Sequence, residues 1–249
     1  ATAPILSLIL EQPFLLFILI RLMILAIAAA GLNLLLGFSG LPSFGHAAIV
    51  GIGGYTAAIL SIEISSDSLG WLSSIWSQII IAAVSASIAS FVIGVISLRT
   101  RGIAFILITL ALGQMLYFLC ISFEIYGGDD GTTVPININS NGLPFYYGVL
   151  LALITIIAIK LWIRESLIGF ILRGAAINES RISSLGYYVV RIRLVAFLVS
   201  GAICGISGAL ALQQNAYISP SSMTWAHSVE LAAMVILGGA GTLAGPILG

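Results

Sequence analysis

Long apolar stretches separated by short polar ones dominate this chain. Each apolar stretch approaches the roughly 20 residues that an α-helix needs to cross about 30 Å of hydrocarbon. None shows the alternation of a membrane β-strand, and lipid leaves only helices or closed barrels as spanning structures. The pattern therefore predicts an all-α, polytopic membrane helix bundle. Its seven apolar runs lie at about 14–36, 44–60, 79–98, 103–123, 145–163, 194–213 and 229–249.

Composition supports one membrane domain over the whole chain. Hydrophobic residues make up 60% of the sequence, charged residues 7%, and the mean hydropathy is +1.18, far outside the usual range of soluble domains. The formal net charge is zero and gives no sign of a nucleic-acid partner. Cys120 and Cys204 both lie in apolar runs, so neither a disulfide framework nor a zinc site is indicated.

The charged residues alternate in sign from loop to loop. Because short loops rich in Lys and Arg stay in the cytoplasm, this alternation predicts an external N-terminus and places the basic stretch inside. Arg21 lies near the outer end of the first run and can reach the interface. The groups are Glu63 and Asp67, then Arg99 and Arg101, then Glu124, Asp129 and Asp130, and finally the basic stretch of Lys160, Arg164, Arg173, Arg181, Arg191 and Arg193. This basic stretch is the predicted docking surface for a soluble partner.

Two apolar runs are rich in glycine, at about 37–54 and 237–249. Such density predicts broken or re-entrant helices, which are tolerated at membrane depth where they are buried in protein or line a polar cavity. Two interrupted segments in opposite halves are typical of internally duplicated transporters. The alternative is that the glycines only allow helices to pack closely.

Five sequence blocks occur in a recognisable order. They read GLNLLLGFSGLPSFGHAAIVGIGGYTAAIL, SLRTRGIAFILITLALGQM, YGGDDGT, NESRISSLG with RIRLVAFLVSGAICGISGALALQQNAYISP, and SVELAAMVILGGAGTLAGPILG. In this order they resemble the LivM-like subfamily of ABC-importer permeases for branched-chain amino acids, from about Gly31 to Gly249. The resemblance implies a type II-like importer fold in a bacterial or archaeal cell (inner) membrane.

The resemblance also implies a set of partners. These are a second, LivH-like permease, two cytoplasmic ATPase subunits that bind ATP and Mg²⁺, a periplasmic or extracellular substrate-binding protein, and the lipid bilayer. No cofactor, metal or nucleic acid is expected on this chain. Because family members continue into further apolar segments, residues 1–249 are expected to form one permease domain that is truncated at its C-terminus.

A cytoplasmic coupling segment is implied within residues 164–193. Gly174 and Gly186 bracket about three helical turns there, and Gly186 is placed to cap the helix. The alternative is a solvated loop that only fixes orientation. The candidate coupling residues are Arg173, Asn178, Glu179, Arg181, Leu185, Gly186, Arg191 and Arg193.

Polar side chains within apolar runs are candidates for the substrate pathway, because they usually face protein or water. For His46, a hydrogen-bonded packing role is favoured over a ligand role, and no metal site is predicted. Gln114 stands where the family often has Glu, and Glu230 is equally well an interfacial carboxylate. The candidates are Asn33, Ser39, Ser43, His46, Tyr55, Thr109, Gln114 and Glu230.

No enzyme motif of the GxSxG, Walker A or HExxH type occurs, so the chain is predicted to be a transport subunit and not an enzyme. The resemblance implies alternating access driven by the ATPases, with Leu, Ile and Val as the default cargo. The alternatives are a permease of the same family for urea or short-chain amides, and an ion-coupled secondary transporter. The acidic loop Tyr126–Pro144 is either a contact surface for the binding protein or a connector made of turns.

Overall fold

The computed structural model describes residues 13–66, 74–134, 142–242 and 245–249. Within these ranges six helices are long and apolar enough to cross a membrane, which confirms the predicted helix bundle. A π-helical turn, Leu34–Phe38, extends the first of them. The helices are α1 (Pro13–Asn33), α2 (His46–Ser66), α3 (Ile75–Ser97), α4 (Ile103–Ile121), α5 (Leu143–Glu165), α6 (Leu167–Ile177), α7 (Glu179–Ser184), α8 (Val189–Asn215), α9 (Trp225–Gly238) and α10 (Gly245–Leu248).

Helix α8 is the central helix and packs against α1, α2 and α3. Close approach depends on small residues: a Cβ on Gly53 of α2 would lie 2.5 Å from the Gly205 Cα of α8. Hydroxyl groups add bonds between helices, since Ser90 donates to the Phe197 carbonyl at 2.7 Å. Lipid is as apolar as a leucine side chain, so close packing and hydrogen bonds must hold such helices together.

The charged residues collect at opposite ends of the bundle. At the basic end, Arg101 follows α3 and reaches Glu179 at the start of α7. At the acidic end, the hydroxyl of Tyr126, in the loop after α4, donates a hydrogen bond to Glu63 near the end of α2. The alternation of loop charges along the sequence thus corresponds to two separate surfaces. Which of them faces the cytoplasm stays a prediction.

A short antiparallel strand pair closes the acidic end. Strand β1 (Thr132–Thr133) pairs with β2 (Tyr217–Ile218), and the Tyr217 hydroxyl donates to the Asp130 carbonyl at 2.6 Å. The sequence predicts only turns and irregular backbone in the acidic loop, so this pairing is an addition to the prediction. Residues 135–141 of that loop lie outside the described residues.

Both predicted broken helices are present. The first break follows the π-helical turn: Gly40 has a positive φ of 65°, and α2 begins only at His46. The second break divides the seventh apolar run, where α9 ends before Gly239 (φ 102°) and α10 begins at Gly245. The seventh run is therefore not one continuous span.

Lys160 contradicts the predicted docking surface. It lies inside α5 with only 1% of its surface exposed, so a soluble partner cannot contact it. Its Nζ has no hydrogen-bond partner among the described residues. Sequence reasoning assigned it to the loop because it is a charge near the end of an apolar run, whereas a lysine stem can pack in the interior.

Gly53→Val should destabilise the protein, because the added methyl groups would push α2 away from α8. Overpacking of this kind costs about 1–3 kcal/mol. Gly148 of α5 is the matched control, since nothing lies within 4 Å of a Cβ built there. Thermal unfolding in detergent, monitored by size-exclusion chromatography, should give a lower Tm for Gly53→Val and an unchanged Tm for Gly148→Val. Equal Tm values for the two variants would contradict the close contact.

Candidate functional site

The two broken segments meet at the side chain of Asn33, which is completely buried. Its Nδ2 donates to the Thr242 carbonyl at 2.8 Å, and its Oδ1 accepts from the Gly241 backbone N–H at 2.9 Å. The side-chain amide of Asn33 thus supplies both a donor and an acceptor to backbone groups that lie outside any helix. Gly37 lies against Gly241 so closely that there is no room for a side chain on Gly37.

A chain of hydrogen bonds from His46 holds the first break against α8. The Ser200 hydroxyl donates to the Gly31 carbonyl at 2.7 Å, so its oxygen accepts from His46 Nε2 at 3.0 Å. Nδ1 of the neutral ring then accepts from the Ser43 hydroxyl at 2.9 Å. Both ring nitrogens of His46 are therefore partnered inside the protein, as the favoured packing role predicts.

The remaining pathway candidates do not form one cluster. Thr109 is buried and bonds across to the loop, accepting from the Phe44 N–H at 3.3 Å. Ser39 and Tyr55 are buried, and their hydroxyl groups have no partner among the described residues. Gln114 is half-buried on α4 and Glu230 is exposed on α9. Whether these side chains line a substrate route stays a prediction.

The predicted coupling segment contains two helices, α6 and α7, and not one helix between Gly174 and Gly186. Helix α6 begins at Leu167, well before Gly174, and α7 starts after Asn178, whose extended backbone (φ −151°, ψ 99°) separates them. The Asn178 side chain caps α7 by accepting from the Arg181 N–H at 3.0 Å. The local signal was Asn followed by Glu, a frequent helix start. Gly186 follows the end of α7 with a positive φ of 89°, as its predicted capping role requires.

Glu179 of α7 forms ion pairs with Arg101, which follows α3, and with Arg193 of α8. One carboxylate oxygen lies 3.0 Å from Arg101 Nη2 and the other 3.0 Å from Arg193 Nη1. Arg193 also donates to the Ala175 carbonyl at 3.4 Å. The Arg101 side chain is 79% exposed, but those of Glu179 and Arg193 are only 20% and 10% exposed. The pair with Arg193 is therefore the one that solvent screens least.

The other basic candidates, Arg173, Arg181 and Arg191, either make contacts within the segment or lie exposed on its surface. The Arg173 guanidinium donates to the Arg164 carbonyl at 2.9 Å, which ties α6 to the end of α5. Arg191 lies over the Tyr188 ring, 4.7 Å from its centre, and Arg181 is exposed. Sequence reasoning missed Arg101 as the partner of Glu179, because no local pattern links residues so far apart.

Helix α6 also touches the first break directly. Leu172 is buried in the same apolar cluster as Leu35 and Phe38 of the π-helical turn. A Cβ on Gly40 would lie 3.3 Å from the Ala176 Cβ. Helix α6 and the first break are therefore in direct contact, with no element between them.

Over most of its length this chain is similar to known membrane transport permeases. A family model described as "Branched-chain amino acid transport system / permease component" matches residues 14–249. The proteins named "High-affinity branched-chain amino acid transport system permease protein LivM" from Escherichia coli strain K12 and Salmonella typhimurium strain LT2 are each 30% identical over 250 residues, covering 88% of this chain and 57% of theirs. A "Probable branched-chain amino acid transport permease protein LivM" from Methanocaldococcus jannaschii is 24% identical, covering 90% of this chain and 74% of its own. This chain thus spans 57% of the length of the two bacterial relatives. No solved structure matches it.

Asn33→Ala should loosen the contact between the two breaks. Each hydrogen bond between membrane helices contributes about 0.6–2 kcal/mol, so losing two should lower the free energy of unfolding by roughly 1–4 kcal/mol. Thr155→Ala is the control, because that exposed hydroxyl bonds only to Leu151 of its own helix. Equilibrium unfolding in detergent micelles measures both variants. An Asn33→Ala protein as stable as the control would show that the amide does not hold the breaks together.

Proposed function

We propose that this chain, which belongs to the family of branched-chain amino-acid transport permeases, is the membrane subunit of an ATP-driven amino-acid importer. It is a multi-pass membrane protein, and its basic end would face the cytoplasm of a bacterial or archaeal cell. A second permease subunit would complete the pathway, two ATPases would bind ATP and Mg²⁺, and an external binding protein would deliver leucine, isoleucine or valine.

The continuous contact from the coupling segment to the two breaks carries this proposal. Glu179 fixes α7 to α8 through Arg193, and Leu172 of α6 packs on the π-helical turn. From there, Gly37 and Asn33 contact the second break. An ATPase that moves α6 and α7 as a unit would therefore pass that motion to both breaks and, through the Glu179–Arg193 pair, to α8. That is the motion that alternating access requires.

The exposed side of the coupling segment supports an ATPase as the partner. Ile177 is 89% exposed and Leu185 is 67% exposed, on either side of α7. Arg181 lies on α7 between them and is exposed too. These exposed apolar side chains surround a basic residue at an aqueous end of the bundle. Such a surface is typical of a protein–protein interface and unusual for a surface that stays in water.

Reconstitution tests the function. The chain, its second permease and the ATPases should take up leucine into vesicles only when ATP and the loaded binding protein are present. Competition with urea, acetamide and other amino acids then separates branched-chain amino acids from the amide alternative. Uptake by this chain alone along a proton or sodium gradient would reject the proposal in favour of a secondary transporter.

Glu179→Ala should reduce ATP-coupled uptake about tenfold or more, because it leaves the poorly exposed Arg193 without its carboxylate. Breaking a buried pair in this way costs about 3–5 kcal/mol, whereas an exposed pair contributes about 0–1 kcal/mol. Arg101→Ala, which removes only the exposed partner, is the control and should lose about twofold or less. Unchanged uptake by a fully assembled Glu179→Ala complex would contradict a role in coupling.

Ile177→Asp and Leu185→Asp should each prevent co-purification of the ATPase subunits, because a carboxylate in an apolar interface must be desolvated without a partner. Ile125→Asp is matched in exposure, at 88%, but lies at the acidic end and should leave co-purification intact. Pull-down on tagged permease measures all three. Normal recovery of ATPase with both coupling-segment variants would place the docking surface elsewhere.

A further inference from the structure

Glu230 lies close to the middle of the bundle's thickness. Ser228 of the same helix accepts a hydrogen bond from the Ala47 N–H at 3.1 Å, at the start of α2. The preceding residue, His46, bonds to Ser200, which is near the midpoint of α8 (Val189–Asn215). Two residues beyond Ser228, Glu230 is about 3 Å further along α9, away from the acidic end.

The carboxylate at this depth is open to its surroundings. The Glu230 side chain is 57% exposed, and among the described residues its only hydrogen-bond partner is His227, itself 53% exposed, with Nδ1 and Oε2 3.0 Å apart. A charged side chain at the centre of hydrocarbon costs roughly 3 kcal/mol or more, so it faces water or protein. Among the described residues, the other carboxylates lie at the two ends of the bundle: Glu63, Glu124, Asp129, Asp130, Glu165 and Glu179.

The surroundings of Glu230 on α9 are apolar. Val229 is 37% exposed and Ile236, between one and two turns further on, is 60% exposed. The opposite face of α9 packs on α1 through the buried side chains of Leu231, Ala232 and Val235. The open face therefore presents one carboxylate next to Val229, with Ile236 about 9 Å further along the helix axis. A matching ligand has a cationic group next to an aliphatic one.

We infer that the Glu230 carboxylate is a transient binding site for the ammonium group of an aliphatic zwitterionic amino acid on its way through the permease. This inference rests on the proposed function and names the group that the pathway recognises. An ammonium and a carboxylate form a charge-assisted hydrogen bond without any change in covalent bonding. His227 acts as a positioning residue, because it occupies Oε2 and leaves Oε1 for the ligand.

Charge replacement in the complete transporter tests the site. In a background with Cys120 and Cys204 changed to Ala, Glu230→Cys should lower leucine uptake about tenfold, the equivalent of roughly 1.4 kcal/mol. Modification by a methanethiosulfonate that carries a sulfonate should restore most of the uptake, because it returns the negative charge. The trimethylammonium reagent should restore none. Ile154→Cys, 58% exposed in the middle of α5, is the control and should keep full uptake with either reagent.

Three results would overturn the site: full uptake by Glu230→Gln, an equal response to the two reagents, or loss of the second permease subunit from the Glu230→Gln complex. The last would assign the carboxylate to a contact between subunits. Failure of the proposed function looks different, because the cysteine-free parent with Glu230 intact would then show no ATP-driven uptake of leucine.

Discussion

Backbone that leaves a helix inside a membrane must find hydrogen-bond partners within the protein, and the rest of this structure depends on how that demand is met. Two interruptions, separated by about two hundred residues, satisfy it together. Asn33 gives its donor and its acceptor to the backbone at Gly241 and Thr242. His46 and Ser200 connect the first interruption to the central helix through a fixed order of donors and acceptors. Each break would be costly alone, and their pairing makes both tolerable.

The same pairing links the middle of the bundle to its basic end. Helix α6 packs on the π-helical turn through Leu172, and Glu179 attaches the following helix to Arg193. Because Arg193 and Glu179 are mostly shielded, solvent and salt screen their attraction less than that of an exposed pair. Arg101 adds an exposed and weaker contact. The helices α6 and α7 are therefore connected to the first break and to α8 through packed side chains and an ion pair.

Features that are local in sequence were predictable, and features that depend on distant contacts were not. Apolar runs predicted the spanning helices, and glycine density predicted both breaks. Each of these two patterns is contained in about twenty consecutive residues. No local pattern showed that Asn33 closes the second break or that Arg101 meets Glu179. The single coupling helix was wrong because the capping potential of Asn178 was overlooked. Lys160 was misplaced because its burial depends on the face of α5 that it occupies.

Exposed and buried polar groups at the same depth have different meanings here. Asn33 and His46 are buried, and their side chains bond to neighbouring backbone and hydroxyl groups. Glu230 lies at a similar level but is open, and His227 uses only one of its oxygens. A carboxylate in that position lowers stability unless water or a cation reaches it. Selection for the fold alone would favour an apolar residue on that face, and this is the physical ground for the ligand contact proposed for Glu230.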